Sequence, residues 1–371
     1  MLSSKQFYIM LIIGVISMKM QKLPGLVYGE VGKDGYLLFL AYMVINILFI
    51  ILAFFVMKRT KQENVLKPSR NLFFECVRKF LFLVACVYFL TQSLLLYEHI
   101  QGLFANTLFD NLSWALFSLL LLFAVFFLAF RGIENIALNY EIYLWVILGS
   151  CLIISILGVG YTDFSVVLPF ETVDVLKILK YLPRFSFWFG DAILVLILGF
   201  KSKEIKLSKT LICYSLTMFF VMFLVIEFYG MYANYSPVQS GLIGVLSSQA
   251  LLGLNIGRVD WFLILFAEIG AILTCAVYLY YSMLCTQTVF SKAKPLLIKI
   301  IIVLILYVTD VFYFVDMSVK INFFHGEFSW ISALLQGLII FGLLFSHWLK
   351  SAGKKGINRL QNRRVKQWWI S

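Results

Sequence analysis

Uninterrupted apolar runs, each close to the roughly 20 residues that carry a helix across a bilayer, recur along the chain between short segments rich in Lys, Arg, Asp and Glu. Ten windows stand out: Phe7–Tyr28, Tyr36–Met57, Arg78–Ile100, Asp110–Phe130, Glu141–Gly160, Pro183–Phe200, Lys209–Tyr232, Arg258–Leu284, Pro295–Asp316 and Phe328–Leu349. The runs are continuous rather than alternating, which predicts helices and excludes a β-barrel. Two of the ten carry their own interruptions. The first holds Gly14 and then Lys19, Gln21, Lys22 and Pro24, a costly set in a lipid-facing helix. The sixth opens at Pro183-Arg184 and holds Gly190-Asp191 at its centre. Spans one and six are five apart. Transporters built from inverted repeats break helices at corresponding positions of each half and bind substrate between them at mid-bilayer. The pattern therefore predicts an all-α integral membrane protein of ten transmembrane helices in a five-plus-five inverted repeat. Residues 1–160 form the first repeat, 161–349 the second and 350–371 a basic cytoplasmic tail.

Composition sharpens this picture. The chain is 62% hydrophobic and 13% charged, against about 45–50% and about 25% in soluble domains, which excludes a soluble protein. Its net charge of +12 reads as topology once the cations are sorted by side. With a cytoplasmic N-terminus, 23 of the 31 Lys and Arg lie on the inner side and six on the outer, so both termini are expected inside and the span count even. No nucleic-acid partner is needed. The first stretch lacks a small-residue cleavage site and is expected to be retained. The tail ends in Trp368-Trp369-Ile370, cations joined to aromatics that favour the headgroup region. It is expected along the inner membrane surface as an anchor, with docking of another subunit as the alternative.

Enzyme chemistry has no support. The six cysteines are scattered without C-x-x-C spacing and read as packing residues. His99, His325 and His347 stand alone, and no metal, nucleotide or Ser-His-Asp pattern is present. No cofactor is expected.

Six charged residues lie well inside the windows, clear of their ends: Lys19, Lys22, Asp191, Glu227, Glu268 and Asp310. At about 1.5 Å per residue, Lys19 lies roughly 18 Å from the inner face and Glu268 roughly 15 Å from the outer. Both are near the midplane, where an unpaired charge costs at least about 2.5–3.5 kcal/mol. The expectation is that Lys19 and Glu268 approach each other at a central site, one of them meeting a ligand's carboxylate or ammonium; a purely structural pair is the alternative. Lys22 is expected to snorkel outward and Glu227 to lie near the outer surface. Asp191 caps freed amides at the break or faces the ligand, and Asp310 serves as a scaffold or partner contact. Gly14, Ser17, Met18, Tyr88, Gln92, Phe187, Phe189 and Gly190 complete the candidate pocket, apolar walls with a few polar groups to orient a small ligand.

Several short motifs carry a family resemblance. They are Leu2-Ser3-Ser4-Lys5-Gln6-Phe7 leading into a helix with Gly14, Leu23-Pro24, Gly32-Lys33-Asp34-Gly35-Tyr36, Phe189-Gly190 and Gly257-Arg258-Val259-Asp260. Together they resemble the spore germination permease family, the B subunit of the tripartite germinant receptor, within the amino acid/polyamine/organocation transporter superfamily. The resemblance implies a leucine-transporter-like fold and recognition of a small germinant such as an amino acid. It also implies two partner subunits, an A-type membrane subunit and a C-type lipoprotein, in the inner spore membrane. Lys19 and Lys22 depart from the small or apolar residues common in relatives. From the residues alone, a proton-coupled amino acid permease stands as the alternative function, and a structural membrane partner without ligand as a third.

Overall fold

The computed structural model describes residues 1–20, 22–59, 72–107, 114–167, 175–232, 260–313, 324, 326 and 329–345. The basic tail, Lys320, Arg258, His325 and His347 lie outside the described residues. The helices run α1 Ser4–Lys19, α2 Leu23–Val31, α3 Tyr36–Arg59, α4 Leu72–Thr107, α5 Trp114–Arg131, α6 Ile133–Val159, α7 Val175–Tyr181, α8 Asp191–Lys201, α9 Leu207–Tyr232, α10 Asp260–Val289, α11 Pro295–Val308 and α12 Trp330–Phe345. A 3₁₀ turn, Leu182–Phe189, joins α7 to α8, and a π turn, Thr309–Tyr313, continues α11. Every apolar window therefore contains helix. By length and apolarity seven described helices qualify as spans, or eight with the bent α1–α2 pair, while 116–131 and 330–345 are shorter apolar helices.

Burial follows the logic of a lipid solvent, with large apolar side chains pointing outward as well as in. Phe123, Trp145, Ile156, Leu216 and Phe312 are exposed, a waste of apolar area in water but the proper surface against acyl chains. Small polar groups tie the helices internally. α4 and α10 pack along most of their lengths and meet through Ser93 with Cys275 (3.3 Å) and Cys86 with Thr286 (3.0 Å). α5 and α6 are joined by Gly132 alone, at φ +93, a conformation that glycine adopts without a Cβ clash.

The N-terminal segment binds the half of one broken helix that precedes its break to the half of the other that follows its break. Leu2 is fully buried and forms a parallel main-chain bridge beyond α8, donating to the Lys201 carbonyl (2.9 Å) and accepting from Lys203 N–H (3.1 Å). Ser4 Oγ donates to the Lys203 carbonyl at 3.0 Å. Ser3 then caps α1 in a reciprocal pair, Gln6 N–H to Ser3 Oγ at 3.1 Å and Ser3 N–H to Gln6 Oε1 at 2.9 Å. Ser3→Ala should cost about 1 kcal/mol, read as a small drop in the midpoint of chemical unfolding while ligand response is retained.

Candidate functional site

Both helix breaks are visible in the residue pattern, and the structure shows what each does. α1 ends at Lys19 and the chain restarts as α2 at Leu23 with a 49° bend, Pro24 occupying the first turn where its missing N–H is harmless. Gly14 does not interrupt α1. It lies mid-helix where a Cβ would stand 2.8 Å from Leu194, so its smallness lets α1 approach α8. The second break falls at Gly190, between the 3₁₀ turn and α8.

The two breaks face one another through a buried ion pair. Lys19 Nζ donates to Asp191 Oδ1 at 2.6 Å and to the Trp188 carbonyl at 3.2 Å, and it stands 5.0 Å from the centroid of the Phe189 ring. Lys19 is fully buried and Asp191 2% exposed. Tyr214 of α9 donates to Asp191 Oδ2 at 3.0 Å, which fixes the carboxylate. Phe189 is held in turn by Tyr42 of α3, stacked at 3.8 Å and 3°, and the Tyr42 hydroxyl donates to the Leu182 carbonyl.

This corrects the expected pairing of Lys19 with Glu268. The reason is helical phase. Gly270 of α10 faces α1, since a Cβ there would lie 2.6 Å from Ser17 Oγ. Glu268, two residues earlier, therefore projects about 200° around the helix from that contact. It is buried, but the ammonium of Lys19 is engaged elsewhere.

Three further groups converge on the second break. Gln92 of α4 donates Nε2 to the Phe187 carbonyl at 2.8 Å, and Gln336 of α12 donates to the Ser186 carbonyl at 3.0 Å. Both satisfy carbonyls that the 3₁₀ geometry leaves without helical partners. The Tyr88 hydroxyl lies against Gly190, so close that a Cβ there would overlap it. Among the described residues, the Tyr88 hydroxyl, Gln92 Oε1 and Ser17 Oγ are buried without a hydrogen bond of normal geometry. Buried polar atoms of this kind are uncommon in native structures. Met18 is buried in the core, and Phe187 packs edge-on against Phe324 at 5.5 Å.

The family model described as "Spore germination protein" (spore permease) matches residues 1–315. The chain belongs to the spore germination permease family. No curated protein matches it, whereas 35 chains of solved structures do. One is the crystal structure of MhsT in complex with L-phenylalanine, 15% identical, with a TM-score of 0.57 over 92% of this chain and 91% of that one. The likeness is one of fold, and that fold is leucine-transporter-like. Family and fold together are those of a membrane transporter or receptor rather than an enzyme.

The spore permease chain holds further charges that sequence reasoning misplaces or misses. Lys22 does not snorkel: its Nζ lies 3.9 Å from Glu98 of α4, both side chains largely buried. Beside it, the His99 ring lies 4.6 Å from that of Trp188. Glu30 of α2 pairs with Arg184 at 3.5 Å, a half-exposed contact of small energetic weight. Glu227 is fully buried between α9 and α6, accepting from Ser155 Oγ at 3.1 Å. Asp310 accepts from Gln101 Nε2 (3.1 Å) and Ser118 Oγ (2.9 Å), joining α4, α5 and the π turn away from the breaks. Tyr214 and Tyr42 escape a sequence reading because, among 19 tyrosines, nothing in their spacing separates site from packing.

Proposed function

We propose that this chain is the membrane-embedded ligand-recognition subunit of a spore germinant receptor, binding a small nutrient germinant, an amino acid, at mid-bilayer. The observation that carries this reading is the convergence of both helix breaks on one buried junction of opposite charges, Lys19 and Asp191 at 2.6 Å. A zwitterion presents an ammonium and a carboxylate a few ångströms apart, and an ion pair with one member on each helix break offers the opposite charges that match it. Ser17, Met18, Tyr88, Gln92, Phe187, Phe189 and Gly190 form the surrounding wall, polar at Ser17, Tyr88 and Gln92 and aromatic at Phe187 and Phe189. The complex of the similarly folded MhsT with L-phenylalanine is consistent with this assignment. In the same reading, residues 1–160 and 161–349 are inverted repeats and both termini lie in the cytoplasm. The chain then works in the inner spore membrane beside an A-type membrane subunit and a C-type lipoprotein.

The family resemblance favours sensing over carriage, and a proton-coupled permease is the second reading because the same fold serves both. Reconstituted protein separates them when thermal stabilisation and uptake are measured over a panel of amino acids. Stabilisation without uptake is the expected result; uptake would make it a permease. Absence of both responses across the panel would overturn the site.

A further inference from the structure

The ammonium of Lys19 occupies a site with the composition of an amine receptor. A carboxylate oxygen at 2.6 Å, a main-chain carbonyl at 3.2 Å and an aromatic face at 5.0 Å surround it. These are the three kinds of group that bind a primary ammonium. All three come from Trp188–Asp191, at the break of the second discontinuous helix. The carboxylate is pre-oriented from behind by Tyr214 and the ring from behind by Tyr42. The cation itself arrives from the other break, on the flexible four-carbon stem of Lys19. Only that covalent tether distinguishes the arrangement from a bound amine.

We infer that Trp188, Phe189 and Asp191 form a primary-ammonium site in which Lys19 is a tethered surrogate ligand that an incoming ammonium displaces. This rests on the reading above and deepens it, because it states what the ligand must bring. When a ligand's ammonium takes Asp191, the ammonium of Lys19 is released within the same buried space and needs an anion. A zwitterion supplies that anion through its own carboxylate and leaves every charge paired. A simple amine strands Lys19, and a simple acid cannot draw Lys19 from Asp191 without stranding the carboxylate; removing one partner from a buried pair is strongly unfavourable. The resident pair thus rejects ligands of a single charge.

Chemical rescue tests the site with the full chain in nanodiscs. Lys19→Ala vacates the amine position. Propylammonium chloride should then raise its melting temperature saturably, whereas sodium propionate, 1-propanol and sodium chloride should not. The wild type and the Lys19→Ala/Asp191→Asn double variant should not respond to the amine. In Asp191→Asn, which leaves Lys19 without its carboxylate, propionate should stabilise and propylammonium should not, so the inference remains open to test if Lys19→Ala is not recovered from membranes. Rescue by 1-propanol as effective as by the amine would show mere cavity filling and overturn the inference. So would an equal response of the wild type to the amine, or silence of every variant recovered. A rescued Lys19→Ala beside a wild type indifferent to all amino acids would show an ammonium pocket from which Lys19 is not displaced, and would overturn the surrogate role together with the nutrient reading.

Discussion

Replacing Lys19 by Met should lower stability by about 3–5 kcal/mol, because it deletes one member of a fully buried pair and leaves the other charge in place. Met has nearly the stem length of Lys, so the loss is electrostatic rather than a cavity. Asp191 would retain the Tyr214 hydroxyl as donor but lose the cation that offsets its desolvation. Against a typical stability of about 5–15 kcal/mol this is a large fraction, readable in chemical unfolding of the reconstituted protein. Adding Asp191→Leu to Lys19→Met should restore much of the loss, since exchanging a buried pair for apolar groups is often near neutral. Response to a germinant should vanish in the single and the double variant alike. That split, stability recovered and response not, is the measurement: a double variant that still responds would show that the pair only holds the helices together.

Gly190→Ala is the second large expected effect. The backbone itself would tolerate alanine, since φ is −84; the obstacle is the Tyr88 hydroxyl in the space a Cβ needs. Tyr88 is fully buried and packs edge-on against Phe89 at 5.6 Å, so its ring has little room to swing. Overpacking of this kind costs about 1–3 kcal/mol. Here it acts one residue from Asp191, so any shift of the break disturbs the 2.6 Å contact with Lys19. The expected result is a lowered unfolding midpoint with lost ligand response. Tyr88→Phe in the same chain removes the offending oxygen and leaves the ring carbon 3.2 Å from the added methyl. It should return part of the stability, and a double variant no better than Gly190→Ala would place the fault elsewhere.

The breaks are legible in the sequence because they violate a local rule: Lys19, Lys22 and Pro24 in one apolar run and Gly190-Asp191 in another do not suit an uninterrupted membrane helix. Their partners are not legible, for two different reasons. Choosing between Asp191 and Glu268 for Lys19 needs the rotational phase of α10, which a two-residue offset reverses and which no periodicity in so uniformly apolar a helix reveals. Glu98 is hidden by a boundary. Its apolar window ends at Ile100, which makes Glu98 look like a charge at the membrane edge, whereas α4 continues to Thr107 and carries Glu98 in its buried interior. Gly14 misleads in the opposite sense, a glycine that resembles an interruption but serves close packing against Leu194.

The main-chain bridge of Leu2 to Lys201 and Lys203 imposes a mechanical condition on any change of shape. It joins the start of α1 to the end of α8, and the Lys19–Asp191 contact joins the end of α1 to the start of α8. The two half-helices are therefore pinned at both ends and form a two-bar linkage. Loosening the ion pair alone leaves a hinge at Leu2 about which they can splay at the two breaks. Separating them at the face that carries the N-terminus requires the Leu2 bonds to break first. Opening of the ion pair while the Leu2 bonds hold would therefore part the two half-helices at their breaks and keep them joined at the end that carries the N-terminus.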